Sequence, residues 1–256
     1  ERESMNLSKK TCVITGASAG IGKATAIALA KSGYTTILLV SDSAKSRAAY
    51  EEITTESGSS DIHLHHVDFS SMASIRKVAE KVSQKYTQID ILINNAGVLK
   101  RNPELSIDGI EMSYAVNLFA PFLLTNLLLP LIQKSQAGRI INLTSELYKK
   151  GKIDFEAVSS VGKFDGSKAY ANSKLMVVVN TLALSIKLKG ENVTVNCVHP
   201  GVVATDVMRD YPKWIGKLLN LFISKPGEGA APTIFLATSP EVAETTGKYF
   251  NKMAQT

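Results

Sequence analysis

Short apolar runs alternate with longer segments of helical periodicity along the whole chain. All but the last of these runs are five or six residues long, which is a typical length for buried strands. The segments between them repeat apolar residues at helical spacing, as in Ile21–Lys31 and Met72–Tyr86. This alternation produces βαβ units, so it predicts an α/β fold built as a doubly wound parallel sheet with helices on both faces. The predicted strands are Thr11–Thr15, Thr35–Val40, His63–Val67, Ile89–Ile93, Arg139–Leu143, Thr194–Val198 and a final run at Lys248–Phe250.

The 256 residues are expected to form one domain, because no repeat, low-complexity tract or linker divides them. We expect residues 9–256 to form this single domain. Residues 1–8 are expected to be an N-terminal tail, whose part before Met5 is consistent with a cloning remnant.

Composition indicates a globular protein, with 45% apolar and 20% charged residues. The formal net charge of +6 is dispersed along the chain, and its tightest cluster, Lys149–Lys152, is typical of a solvated loop. No nucleic-acid partner is therefore expected. No run reaches the roughly 18 to 20 uninterrupted apolar residues of a membrane span, so a cytoplasmic protein is predicted.

Cysteine and histidine usage favours neither a disulfide nor a metal site. Cys12 and Cys197 lie inside strand-like apolar runs, where a thiol behaves as a small hydrophobic group. His63 and His65 share one face of a predicted strand, but no set of cysteines or carboxylates completes a metal site around them.

The first strand runs directly into a glycine-rich loop, Thr15–Gly22, and a helix follows this loop. In this context Gly16 permits a tight turn, Gly20 lets the backbone approach a pyrophosphate, and Gly22 allows close packing of helix on sheet. The alternative is a glycine-rich turn without a ligand. The residues expected to contact a dinucleotide here are Gly16, Ser18, Ala19, Gly20, Ile21 and Gly22.

The glycine spacing and five later motifs in the same order resemble the short-chain dehydrogenase/reductase family. Those motifs are Asn94–Gly97, Asn117, Ser145, the pair Tyr170 and Lys174, and Pro200–Gly201. The resemblance implies that residues 9–256 are a single Rossmann-type dinucleotide-binding and catalytic domain. It further implies an oxidoreductase that moves a hydride between a nicotinamide cofactor and a carbonyl or alcohol carbon. It also implies cofactor contacts from Asp68, Phe69, Asn95, Ala96, Gly97, Asn117, Tyr170, Lys174, Pro200, Gly201, Val203 and Thr205.

Tyr170 and Lys174 are four residues apart, so they lie on one face of a predicted helix. A tyrosine that exchanges a proton near neutrality needs its pKa lowered by roughly 3 units, about 4 kcal/mol of phenolate stabilisation. Lys174 and an oxidised nicotinamide both bring positive charge. The resemblance implies that Tyr170 is the general acid/base, that Lys174 also holds the nicotinamide ribose, that Ser145 polarises the carbonyl, and that Asn117 completes a water-linked relay.

Cofactor preference is expected to be set after the second strand, by Ser41 and Asp42. An acidic side chain there accepts hydrogen bonds from ribose hydroxyls and repels a 2′-phosphate. Many relatives that use NADP carry an arginine at the position aligned with Asp42, so NAD is favoured here. The cations Lys23, Lys45 and Arg47 keep NADP open, and an aspartate in a surface turn is a further interpretation.

The long interval between Ser145 and Tyr170 resembles the retinol-dehydrogenase-like branch of the family, as do Glu228–Ala230, Thr238–Glu241 and Gly247–Phe250. Light-dependent protochlorophyllide reductases share the long interval. The apolar segment 207–223 is interpreted as a lid over a hydrophobic substrate, such as a retinoid, steroid or aldehyde. A core helix and a helix lying on a membrane surface are the alternatives.

Two other classes of function stay open beside the enzyme. One is a non-catalytic dinucleotide sensor or interaction protein on the same fold. The other is a structural subunit, since the apolar helices Leu118–Leu131 and Leu175–Leu188 correspond to those with which many relatives form dimers. A homodimer or homotetramer is expected in either case.

Overall fold

A single eight-stranded sheet forms the centre of the molecule, in a computed structural model that describes residues 9–160, 162, 164–201 and 226–255. The strand order is β3-β2-β1-β4-β5-β6-β7-β8, and each pair is parallel except the final β7–β8 hairpin. The predicted doubly wound parallel sheet is thereby confirmed. The strands are β1 Thr11–Thr15, β2 Thr35–Val40, β3 Ile62–His66, β4 Ile91–Asn94, β5 Gly138–Leu143, β6 Val193–His199, β7 Tyr249–Asn251 and β8 Ala254–Gln255.

Helices cover both faces of this sheet. One apolar cluster joins a face of the sheet to α1, α2 and α6, and the other joins the opposite face to α3, α4 and α5. The helices are α1 Gly20–Lys31, α2 Ala44–Ser57, α3 Met72–Lys85, α4 Met112–Ile132, α5 Gly166–Lys187 and α6 Pro226–Thr238. The tail at 1–8, the apolar segment 207–223, Val203 and Thr205 lie outside the described residues.

The predicted strand boundaries are right at β1 and β2 and shifted by one or two residues elsewhere. The shift at β4 has a clear cause. Ile89 donates its backbone N–H to Leu131 instead of joining the strand, while the polar Asn94 extends the strand at its other end. The side-chain NH2 group of Asn94 is buried and donates to Thr125 Oγ1 at 3.0 Å and to Asn142 Oδ1 at 2.8 Å, so the desolvation of these two N–H bonds is compensated.

Helix α4 contains one turn of π-helix, Ala115–Phe119, directly before its long apolar part. The helix is long and apolar enough to cross a membrane by length and composition. Leu124 and Leu128 are inaccessible in the cluster that packs α3 against the sheet, so this stretch is a core helix. The cytoplasmic location stays a prediction.

Candidate active site

A cavity of about 1110 Å³ lies along the carboxyl ends of the strands. The residues that line it follow six adjacent strands, from β3 through β6, and at about 4.8 Å between strands this row is roughly 24 Å long. An elongated cleft at the reversal of strand order is where α/β sheets bind dinucleotides. The predicted site residues that line it are Gly16, Ser18, Ala19, Ile21, Ser41, Asp42, Asp68, Phe69, Asn95, Ala96, Gly97, Ser145, Tyr170, Lys174, Pro200 and Gly201.

Three predicted site residues within the described part of the chain stand behind this wall: Gly20, Gly22 and Asn117. Gly22 faces the Asn95 amide and the Gly16 carbonyl oxygen, and a Cβ at position 22 would approach that oxygen to 2.5 Å. Gly20 has a φ of +54°, in the left-handed region that favours glycine. These residues therefore shape the loop without contributing to the cavity surface.

Asn95 fixes the glycine loop against the end of β4. Its amide nitrogen donates to Thr15 O at 2.8 Å and to Gly16 O at 3.1 Å, while Thr15 Oγ1 accepts the backbone N–H groups of Asn95 and Ala96, each at 2.9 Å. Gly16 has a φ of +70°, and a Cβ there would lie 2.9 Å from Ala96 Cα. The two motifs that sequence reasoning treated separately thus form one rigid unit.

Tyr170 and Lys174 meet on the first half of α5, where Asp165 caps the helix by accepting from Ser167 N at 2.9 Å. Lys174 Nζ lies 5.6 Å from the centroid of the Tyr170 ring and donates to Leu143 O at 2.9 Å. The Ser145 hydroxyl lies near enough to the Tyr170 phenol to influence its pKa. The structure therefore brings three members of the predicted tetrad together in the cavity.

Burial controls the titration of this pair. Desolvation raises the pKa of Tyr170 to about 12, although the nearby Ser145 hydroxyl opposes the rise. Desolvation also lowers the pKa of Lys174 to about 8. In the protein without its cofactor, the pKa of Tyr170 is therefore raised, and not lowered as proton exchange near neutrality would require. The cause is that desolvation destabilises the phenolate more than the nearby Ser145 hydroxyl stabilises it.

Asn117, the fourth member, lies in the π-helical turn and uses its side chain to hold the loop after β4. Its Oδ1 accepts from Val98 N at 2.8 Å, and its Nδ2 donates to Val98 O and Ser173 Oγ, both at 3.0 Å. The side chain is 2% exposed. The amide of Asn117 is thus fully engaged in positioning contacts, and π-helical turns recur at functional sites.

The far end of the cavity is charged. Asp42 Oδ1 accepts from Arg47 at 2.6 Å and lies 3.8 Å from His66 Nε2, and its side chain is 67% exposed. Lys23 is paired with Glu52 at 2.5 Å. Lys23 and Arg47, two of the three cationic residues that made NADP binding conceivable from the sequence, are thus each paired with a carboxylate.

Sequence reasoning missed the hydrogen-bond partners of Glu146, which lines the cavity beside Ser145. Its carboxylate accepts hydrogen bonds from Lys149, Tyr249 and Asn251, and the bonds from Lys149 and Tyr249 hold its pKa below the ordinary value. Glu146 had been noted only as a departure from the commonest family pattern. Lys149 three residues later was a local indication, but the other partners are more than 100 residues away.

Known proteins share this architecture and much of this sequence. A family model described as short chain dehydrogenase matches residues 10–216. Retinol dehydrogenase 13 of Homo sapiens is 39% identical over 255 residues, covering 96% of this chain and 77% of that protein. Retinol dehydrogenase 14 of Homo sapiens is 37% identical over 260 residues, covering 94% and 77%.

Solved structures agree with the fold. A short chain dehydrogenase from Salmonella enterica serovar Typhi matches with a TM-score of 0.77 at 25% identity, covering 96% of each chain. One from Shigella flexneri, complexed with NADP, has a TM-score of 0.75 at 24% identity, covering 96% of this chain and 97% of its own. The resemblance inferred from the motifs is confirmed: the chain belongs to the short-chain dehydrogenase family, with retinol dehydrogenases among its relatives, and is an alcohol/carbonyl oxidoreductase.

Proposed function

We propose that this enzyme transfers a hydride between a nicotinamide dinucleotide and a hydrophobic alcohol or carbonyl compound, with Tyr170 as the general acid/base. The observation that carries the proposal is that Ser145, Tyr170 and Lys174 line one cavity at the carboxyl ends of the strands, with Lys174 Nζ 5.6 Å from the centroid of the Tyr170 ring. Nicotinamide supplies the hydride when it is bound. The neighbour from Shigella flexneri is described as complexed with NADP, which supports this class of cofactor.

In the direction of reduction, Tyr170 gives its proton to the substrate oxygen while Ser145 donates a hydrogen bond to the same oxygen. The raised pKa of Tyr170 keeps the phenol protonated at neutral pH, so the general acid for reduction is already in its protonated form. In oxidation the same residue accepts the proton, and the phenolate then needs positive charge from Lys174 and from an oxidised nicotinamide. Asn117 holds the loop that faces Lys174, since a Cβ at Gly97 would lie 3.2 Å from Asn117 Oδ1 and 3.6 Å from Lys174 Nζ.

A hydrophobic substrate is supported by the wall of the cavity beyond Ser145. Leu99, Met112, Val116 and Leu147 line it, and apolar walls hold a large hydrophobic molecule by removing its surface from water. The relatives named retinol dehydrogenases support a retinoid as a first substrate to test. No observation favours the dinucleotide sensor over the enzyme.

We further propose NAD as the preferred cofactor. Asp42 lines the adenosine end of the cavity and is paired with Arg47, so the nearby guanidinium is already occupied by a carboxylate. A 2′-phosphate would have to break this pair and approach Asp42. Fluorescence titration is expected to give a lower Kd for NADH than for NADPH, and Asp42→Ala should reduce or reverse that difference. Tighter NADPH binding by the wild type would contradict the preference.

A homo-oligomer is supported by an exposed apolar stripe on α5. Val179, Leu182 and Ile186 are 44%, 51% and 66% exposed and share one face of the helix, and Phe122 on α4 is 48% exposed. Burial of this stripe against a second copy would remove a considerable apolar area from water.

The proposed activity is tested by following nicotinamide absorbance with all-trans-retinal and a panel of other hydrophobic aldehydes, ketones and alcohols. Tyr170→Phe should lower turnover by about 10²-fold to 10⁴-fold, the usual contribution of general acid/base catalysis, while cofactor binding persists. Tyr86→Phe, outside the cavity, is the matched control and should behave as the wild type. Equal turnover in Tyr170→Phe and wild type would overturn the assigned role.

A further inference from the structure

Glu146 joins two parts of the chain that are far apart in sequence. Oε1 accepts from Tyr249 Oη at 2.6 Å and from Asn251 Nδ2 at 3.2 Å, and Oε2 accepts from Lys149 Nζ at 2.8 Å. Glu146 follows Ser145 directly, whereas Tyr249 and Asn251 belong to β7 at the end of the chain. A carboxylate that accepts three hydrogen bonds, one of them 2.6 Å long, is held in a fixed orientation.

The β7–β8 hairpin also supports the neighbouring part of the cavity wall, which follows β6. Asn251 is the register partner of His199, and Lys252 donates its N–H to His199 O at 2.9 Å. Lys252 has a φ of +56°, and a Cβ at Gly201 would lie 3.5 Å from Lys252 Cε. The hairpin turn therefore packs against the segment His199–Gly201, which lines the cavity beside the segment that carries Ser145.

From this juxtaposition we infer that Glu146 is a positioning residue, which couples the Ser145 wall of the active site to the His199–Gly201 wall through Tyr249 and Asn251. The inference rests on the proposed function, because it concerns the geometry of the proposed hydride-transfer site. Glu146 itself transfers no proton: all three of its hydrogen bonds are to protein donors, and it acts through the loop that carries Ser145.

Tyr249 is the more informative position to change. Tyr249→Phe deletes the 2.6 Å hydrogen bond but keeps the aromatic ring, whose centroid lies 4.9 Å from that of Tyr148. Glu146→Ala removes the entire network, whereas Glu146→Gln keeps an oxygen that can accept from Tyr249 and Asn251. The expected order of catalytic defects is therefore Ala greater than Gln, with Tyr249→Phe close to Ala.

The experiment measures kcat with all-trans-retinal, Kd for NADH, and amide hydrogen exchange. Loss of a charge-assisted hydrogen bond that holds a catalytic loop should lower kcat about tenfold in Glu146→Ala and Tyr249→Phe, with NADH affinity changed less than about twofold. The double variant should be no worse than Glu146→Ala alone, because that substitution already removes the hydrogen bond that Tyr249→Phe deletes. Glu80→Gln, an exposed carboxylate on α3 that accepts from Gln84, is the matched control and should behave as the wild type.

Hydrogen exchange supplies the test that does not depend on a substrate. Peptides covering 145–151 and 199–201 should exchange faster in Glu146→Ala and Tyr249→Phe, while the peptide covering β1 stays protected. Unchanged exchange in both regions overturns the inference, and so does an unchanged kcat in both variants. If those variants match the wild type while Tyr170→Phe is inactive, the coupling is refuted and the proposed function stands; if Tyr170→Phe is also fully active, the proposed function fails.

Discussion

Lys174 should make the protein less stable at neutral pH than at alkaline pH. Its side chain is 5% exposed, and burial lowers its pKa from the ordinary 10.5 to about 8. A shift of this size corresponds to about 3 kcal/mol of preferential destabilisation of the charged form. Between pH 8 and pH 10.5 the unfolded chain binds this proton and the folded chain does not, so this contribution to stability rises with pH.

The matched perturbation is Lys174→Met, which keeps the length of the side chain and removes the charge. From pH 7 to pH 10 the wild type should gain about 2 kcal/mol relative to this variant. For a chain of this size that is a change of roughly 4 to 8 °C in the difference between the two Tm values. The same variant should lose turnover at every pH.

The assay is thermal or urea unfolding of both proteins without cofactor, at half-unit steps of pH across this interval. Lys168→Met is the control, because Lys168 is an exposed lysine near the start of the same helix. Its stability should run parallel to that of the wild type. Parallel curves for Lys174→Met and wild type would refute the reasoning, since they would show that Lys174 titrates in the folded state as it does in the unfolded chain.

Two other substitutions test the cofactor loop and the oligomer. Gly22→Ala places a Cβ against the Asn95 amide and the Gly16 carbonyl, so NADH affinity measured by fluorescence should fall at least about tenfold; near-normal affinity would show that the loop can relax. Leu182→Glu puts a charge into the exposed stripe on α5, so sedimentation should show a smaller assembly than the wild type; a monomeric wild type would refute the expected homo-oligomer.

The parts of the fold with strong local patterns were predictable from the sequence. β1 and β2 have the expected ends because each apolar run is bounded by polar residues on at least one side. The glycine loop was predictable because backbone demands at Gly16 and Gly22 restrict the residue type. The order of the catalytic motifs indicated the short-chain dehydrogenase family, and the comparisons with known proteins confirm that membership.

Contacts between distant strands were not predictable in this way. The partners of Glu146 lie 103 and 105 residues further along the chain, and only the position of β7 beside β6 brings them near Ser145. The buried chain of amides from Asn94 through Asn142 to Thr181 likewise depends on α4 and α5 packing over β4 and β5. No local spacing encodes such contacts.

The direction in which the pKa of Tyr170 is shifted could not be predicted from the sequence either. Its spacing from Lys174 indicates a neighbouring positive charge, which would lower the phenol pKa. Only the structure shows that both groups are buried and that Lys174 Nζ donates to Leu143 O, so desolvation determines the direction of each shift.

The most direct test of the central claim follows a labelled hydride. Wild-type enzyme and Tyr170→Phe are incubated with all-trans-retinal and NADH deuterated at the transferred position of C4, and the retinol product is analysed by mass spectrometry. The account predicts one deuterium on the carbinol carbon with wild-type enzyme and product reduced by about 10²-fold or more with Tyr170→Phe. Retinol formed without deuterium, or labelled equally fast by Tyr170→Phe, would contradict hydride transfer assisted by Tyr170.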